Sequence, residues 1–203
     1  VLCHTTLRLE PRGASGPMVP RVEALERYQE KYAWVWEHQA LTRARYCVGD
    51  AGVGKKFEAI RQKVLKQRRN LDELRAEIVQ MREKMHAGHP NKSDLFDVKH
   101  DRGGMIDIEF AVQYLVLGHS HDFSSLTKTL GNIRRLGMAA ELGLFPAVLA
   151  ERCRDAYREF RRLQHALRLN GAPYARVLGN EMLKEMGAVQ TLWQAVFNPS
   201  SAA

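Results

Sequence analysis

The stretch Met105–Leu117 is apolar almost all round, with Asp107, Glu109 and Gln113 as its only polar members. At 1.5 Å per residue, thirteen residues are too short to cross a bilayer. A helix apolar on every side must be covered on every side. The spacing therefore predicts a central, buried helix with other elements packed around it.

Other periodicities supply those elements. From Val22, an apolar face at Leu25, Tyr28, Tyr32 and Val35, with Gln39 and Thr42, predicts one long helix ending near Val48–Gly49. Its opposite side holds Trp34, His38, Leu41 and Arg45, so this helix should touch two bodies. Phe57, Ile60 and Val64 mark a second helix. Leu71, Leu74, Ile78, Met81 and Met85 mark a third that stops at Gly88 and Pro90. The polar connector 91–104 includes a short extended piece at Phe96–Lys99. Beyond the central helix, Leu126, Leu130, Ile133 and Leu136 predict a fifth.

Pro146 opens a sixth as its first residue and Gly171 closes it. This helix has a stripe of Leu149, Cys153, Ala156, Phe160, Leu163 and Leu167, and outer pairs Glu151/Arg154, Asp155/Arg158 and Glu159/Arg162. Asn180 caps a last helix whose Met182, Met186, Val189, Trp193 and Val196 face inward, and Asn198–Ala203 should fray. Residues 1–20 differ. Leu7 and Leu9 alternate with Arg8 and Glu10 like a strand, and Pro11, Gly13, Gly16, Pro17 and Pro20 then forbid a helix. The fold class is all-α, a helical bundle with a small β-like remnant in front, divided at residues 20/21.

The 203-residue chain carries 31 Lys+Arg against 23 Asp+Glu, a net +8 that suits anionic partners. Three cysteines, Cys3, Cys47 and Cys153, match neither a disulfide scaffold nor a CxxC zinc pattern, and a reducing cytoplasm is the natural setting. No apolar run is long enough for a membrane span. The first residue is Val1, and the chain reads as cut from something longer.

Gly49–Lys56 nearly spells a phosphate-binding loop, but Lys56 stands where Ser or Thr must hold Mg²⁺. A flexible glycine turn between two helices is the better reading. His86/His89 and His119/His121 lack the neighbouring carboxylate or thiol that would complete a metal site, and read as solvated loop residues. His38 and His165 read as hydrogen-bonded packing residues. The basic segment 55–84 has ten Lys/Arg against five Asp/Glu and no reading motif, so a solvated face is expected and nucleic acid is not. Asp107 and Glu109 leave a regular helix about 200° apart. Each is either neutralised by an arginine, with Arg134 and Arg161 as candidates, or faces a cleft; Asp107, next to Gly103-Gly104 at the helix start, is expected at the cleft, and Glu109, which shares a face with Gln113, against a buried partner.

Several blocks carry a resemblance. These are Arg8-Leu9-x-Pro11-x-Gly13-Ala14-Ser15-Gly16, Tyr28-Gln29, Ala33-Trp34-x-Trp36-Glu37-His38-Gln39-Ala40-Leu41-x-Arg43-Ala44-Arg45, Gly49-Asp50, Phe96-Asp97-x-Lys99 and Gly103-Gly104-x-x-Asp107-Ile108-Glu109-Phe110-x-x-Gln113-Tyr114. In this order they resemble the C-terminal region of glutamate–ammonia-ligase adenylyltransferases, bifunctional enzymes that adenylylate and deadenylylate glutamine synthetase. The resemblance implies that 1–20 is the tail of a nucleotidyltransferase domain. It implies that 21–203 is a helical domain of the type shared with the uridylyltransferases of the PII signalling protein. It also implies Mg²⁺ and ATP as cofactors of the parent protein, and glutamine synthetase and PII as partners.

The family's paired carboxylates are absent from this sequence. Its third, in an Asp-x-Arg-Leu-Arg-Pro-Ser-Gly stretch, aligns with Thr6, and Glu10 and Arg12 also depart from that stretch. Carboxylates are what hold Mg²⁺, so the chain alone should neither catalyse nor bind the cofactors tightly. The motif positions make Arg8, Arg43, Arg45 and Lys99 candidates near phosphates, and Glu37, Asp107 and Glu109 candidates to orient them. The chain's Asn-Pro-Ser-Ser-Ala-Ala end resembles a natural C-terminus and points to the adenylylating half. The alternative is a regulatory module that binds PII or glutamine synthetase with no role in the active site.

Overall fold

A computed structural model describes residues 21–128 and 130–198. The strand and loop expected in 1–20, with Thr6, Arg8, Glu10, Arg12 and Cys3, lie outside the described residues, as does the tail beyond Asn198. The described chain is helical: α1 (Val22–Lys31), α2 (Val35–Arg43), α3 (Ala51–Leu65), α4 (Leu71–Ala87), α5 (Met105–His119), α6 (Asn132–Glu141), α7 (Ala147–Leu169) and α8 (Leu183–Phe197). Two strands, β1 (Phe96–Asp97) and β2 (Arg176–Val177), pair antiparallel with Phe96 opposite Val177.

The expected central helix is α5. It packs against α2, α4, α6, α7 and α8, and Ile108, Ala111 and Leu117 are wholly buried. Around it, α7 buries Leu149, Cys153, Ala156 and Phe160, and Phe160 meets Phe96 of β1 with ring centroids 5.9 Å apart. Burial pushes the Cys153 thiol up to about 12. The three outer pairs of α7 all form.

Several boundaries differ from the periodicity. The single helix expected from Val22 to Val48 is two helices, because Tyr32 leaves the helical region (φ −129°) and its amide still reaches Tyr28 O. Glu37, in the first turn of α2, accepts from the Trp34 amide at 2.8 Å, a capping interaction that restarts the helix. The glycine turn at 49–56 is instead the first turns of α3, started by Asp50 accepting from the Val53 amide at 2.8 Å. Leu126 sits in a separate 3₁₀ turn, Ser124–Thr127, and α6 starts only after Gly131. Pro146 precedes α7 as its N-cap, not as its first residue. Asn180 lies inside a 3₁₀ turn, Gly179–Met182, and does not cap α8.

Candidate functional site

The site grows from the C-terminal end of α2. A helix end exposes carbonyls that need donors and favours positive charge. Two buried arginines meet both demands. Arg61 Nε donates to Leu41 O (2.9 Å) and its Nη2 to Thr42 O (3.3 Å). Arg135 Nη2 donates to Thr42 O (2.5 Å) and Lys128 O (3.1 Å). Arg61 also reaches Glu58 at 3.2 Å. Arg135 has no carboxylate partner among the described residues. Burial, then the charges of Arg61 and Arg43, pull its pKa down to about 10.

With its end fixed, α2 projects Arg43 onto α5, where Nη1 meets Glu109 Oε2 at 3.0 Å. The second oxygen of Glu109 accepts from Tyr157 OH (3.0 Å), which itself accepts from Asn132 Nδ2 (2.9 Å). Burial and the Glu109 charge raise the Tyr157 pKa. Nearby, Gln39 Nε2 donates to Gln113 Oε1 at 2.7 Å, tying α2 to α5 a second time. The Arg43–Glu109 pair borders a cleft of about 560 Å³ whose wall includes Trp36, Gln39, Lys99, Glu109 and Gln113. Arg43 also borders a second cavity of about 720 Å³ between α2, α6 and α7.

The candidates divide accordingly. Arg43, Lys99 and Glu109 converge on the cleft, and Arg45 lines the second cavity. Two others do not join them. Glu37 is buried and accepts from Tyr28 OH (2.8 Å) and the Trp34 amide, so it holds α1 to α2. Asp107 reverses the expectation that it, rather than Glu109, faces the cleft. It is buried against Arg82, with Oδ1 2.5 Å from Nε, and its Oδ2 accepts from the Gly103 amide at 2.6 Å. The neutralising arginines are Arg82 and Arg43, not Arg134 or Arg161.

His38 is buried and bonds Gln29 O at 2.9 Å, as a packing histidine should. His165 is exposed at the second cavity instead of packing. The spacing hid Tyr157 and Asn132, and the partner of Gln113, because these roles depend on contacts between helices far apart in sequence. Among the described residues no cluster of three His, Cys, Asp or Glu could hold a metal ion. No described helix is long and apolar enough to cross a membrane.

Comparison with known proteins identifies relatives of the chain. Residues 58–190 match the family model described as GlnD PII-uridylyltransferase, and residues 1–60 match that of glutamate-ammonia ligase adenylyltransferase. The chain is similar to the bifunctional glutamine synthetase adenylyltransferase/adenylyl-removing enzymes of Aromatoleum aromaticum, Ralstonia nicotianae and Bordetella bronchiseptica. The identities are 52%, 54% and 50%, over 97%, 100% and 100% of this chain and 21%, 22% and 22% of the relatives. The chain thus spans about a fifth of the length of the curated relatives it matches. The chain belongs to the glutamate–ammonia ligase adenylyltransferase family.

Proposed function

We propose that this chain is the helical wall of the AMP-transfer site in an enzyme that adenylylates glutamine synthetase and removes the adenylyl group. The supporting observation is the convergence of Arg43, Lys99 and Glu109 on one cleft from α2, the β1–α5 connector and α5. Lys99 and Arg43 stabilise phosphate charge. Glu109 fixes the Arg43 guanidinium, so its donors are oriented before the nucleotide arrives.

The parent reaction implies Mg²⁺ and ATP. The cleft's Arg43 and Lys99 fit phosphate oxygens, but its residues do not fit a metal ion. Cationic side chains donate hydrogen bonds and cannot ligate a cation. Glu109, the only carboxylate among the cleft's described residues, already has both oxygens engaged. The ion would need carboxylates from elsewhere in the parent protein, so this chain alone is expected to be inactive. The cytoplasm is the natural compartment.

The test is Arg43→Ala and Lys99→Ala in the full-length enzyme, with AMP transfer to glutamine synthetase measured beside melting temperature. We expect each to lower kcat about tenfold or more at unchanged melting temperature. Unchanged rates in both would overturn the assignment.

One observation favours the regulatory reading. Tyr32 and Trp34 are 67% and 68% exposed, at the hinge between α1 and α2. Aromatic residues standing in solvent are typical of partner surfaces. On this reading Trp34→Ala weakens binding of PII or glutamine synthetase and leaves the transfer chemistry intact.

A further inference from the structure

The second cavity has a character of its own. Its wall includes Arg43, Arg45, Arg158, Arg161, Arg162 and His165 and, among the described residues, no carboxylate. Three of these arginines are partly neutralised: Arg43 by Glu109, Arg158 by Asp155 (2.6 Å) and Arg162 by Glu159 (2.6 Å). The side chains of Arg45, Arg161 and His165 have no partner among the described residues. The floor is the start of α6. Gly131 supplies no capping side chain, no acidic residue follows in the first turn, and the amides of Asn132 and Ile133 find no acceptor among the described residues. The start of α6 therefore keeps helix-start amides free to bind an acceptor. Here it opens toward unpaired guanidinium groups.

Arginine forks and free helix-start amides are donors whose geometry suits phosphate oxygens. At about 720 Å³ the cavity is of small-molecule size. We propose that it is a binding site for a small anion carrying two or more adjacent phosphates, either an inorganic oligophosphate or the phosphate chain of a free nucleotide. Each phosphate would engage guanidinium groups from α7 and from the segment after α2, with one oxygen on the α6 amides. The inference stands on this cavity alone and does not require the cleft to be a transfer site.

The test is calorimetric titration of the purified 203-residue chain with inorganic tripolyphosphate, and separately with ADP, without metal. We expect saturable binding that weakens at least about tenfold in R45A/R161A. Both side chains are exposed and unpaired, so folding should be preserved, and a matching melting temperature checks this. K55A/R68A removes the same charge from residues that do not line the cavity and should bind like the parent. Tighter binding of ADP than of tripolyphosphate identifies the nucleotide source, and the reverse identifies the inorganic one. The proposal fails if neither ligand binds at about 1 mM. It also fails if K55A/R68A weakens binding as much as R45A/R161A. A hexaglutamate peptide that binds more tightly than either ligand, with the same dependence on Arg45 and Arg161, would make the cavity an acidic-protein surface and overturn the small-molecule assignment.

Discussion

Arg61 and Arg135, from α3 and α6, donate to the same acceptor, the carbonyl of Thr42, at 3.3 and 2.5 Å. Two like charges meet there because the last turn of α2 supplies negative potential and unpaired carbonyls. This double clamp fixes where the chain leaves α2, and hence where Arg43 and Arg45 point.

The two arginines should not be equivalent. Arg61 also serves Leu41 O and Glu58, and its loss strands buried acceptors. Arg61→Met should cost about 2–3 kcal/mol. Arg135→Met should cost only about 1 kcal/mol, because it also removes a buried charge that has no carboxylate partner among the described residues. Urea denaturation of both variants checks the order, and a larger loss for Arg135→Met would refute it.

The two carboxylates of α5 should separate in the same assay. Asp107→Asn leaves Arg82, itself 2% exposed, without a counter-charge and should cost about 3–5 kcal/mol. Glu109→Gln should cost under about 1 kcal/mol, since the Arg43 side chain is 54% exposed. In the full-length enzyme it should lower AMP transfer instead. Equal stability losses would contradict the opposed placement of the two side chains.

Burial lowers the pKa of His38, His100 and His119 below the ordinary 6.5. Below about 6.5 the unfolded chain binds protons that the folded chain refuses, so the unfolded state holds more protons in this window and stability falls with pH. Stability should be flat just above 6.5 and decline as pH drops through each folded value. His38→Gln, which can still donate to Gln29 O, should flatten part of that slope. A denaturation midpoint independent of pH between 7 and 5 would count against it.

Gly104 lies where a Cβ would sit 2.8 Å from Asp101 O and 2.9 Å from Val98 O. Backbone atoms cannot step aside, so Gly104→Ala should destabilise by about 1–3 kcal/mol. Gly187, within α8, meets nothing within 4 Å. Gly187→Ala should stabilise by about 0.5–1 kcal/mol through helix propensity. Thermal melts of the pair give opposite signs if the packing is right.

Periodicity alone determined the central burial of Met105–Leu117, the inward stripe of α7 and the ion pairs on its outer face. Those features depend only on 3.6-residue geometry and on hiding apolar surface, both local properties. The break between α1 and α2 was also written locally, in Glu37 three residues after Trp34, but Trp34 is not a usual capping residue and the signal was masked. What the spacing could not decide was which carboxylate of α5 faces the cleft. Asp107 and Glu109 diverge by about 200° on any helix, and only the docking of α4 on one side and α2 on the other sends Asp107 to Arg82 and Glu109 to Arg43. The arginine cavity is a tertiary product too. Arg45 and Arg161 are far apart in sequence, and they share a wall because Arg61 and Arg135 hold the end of α2 beside the start of α6 and one face of α7.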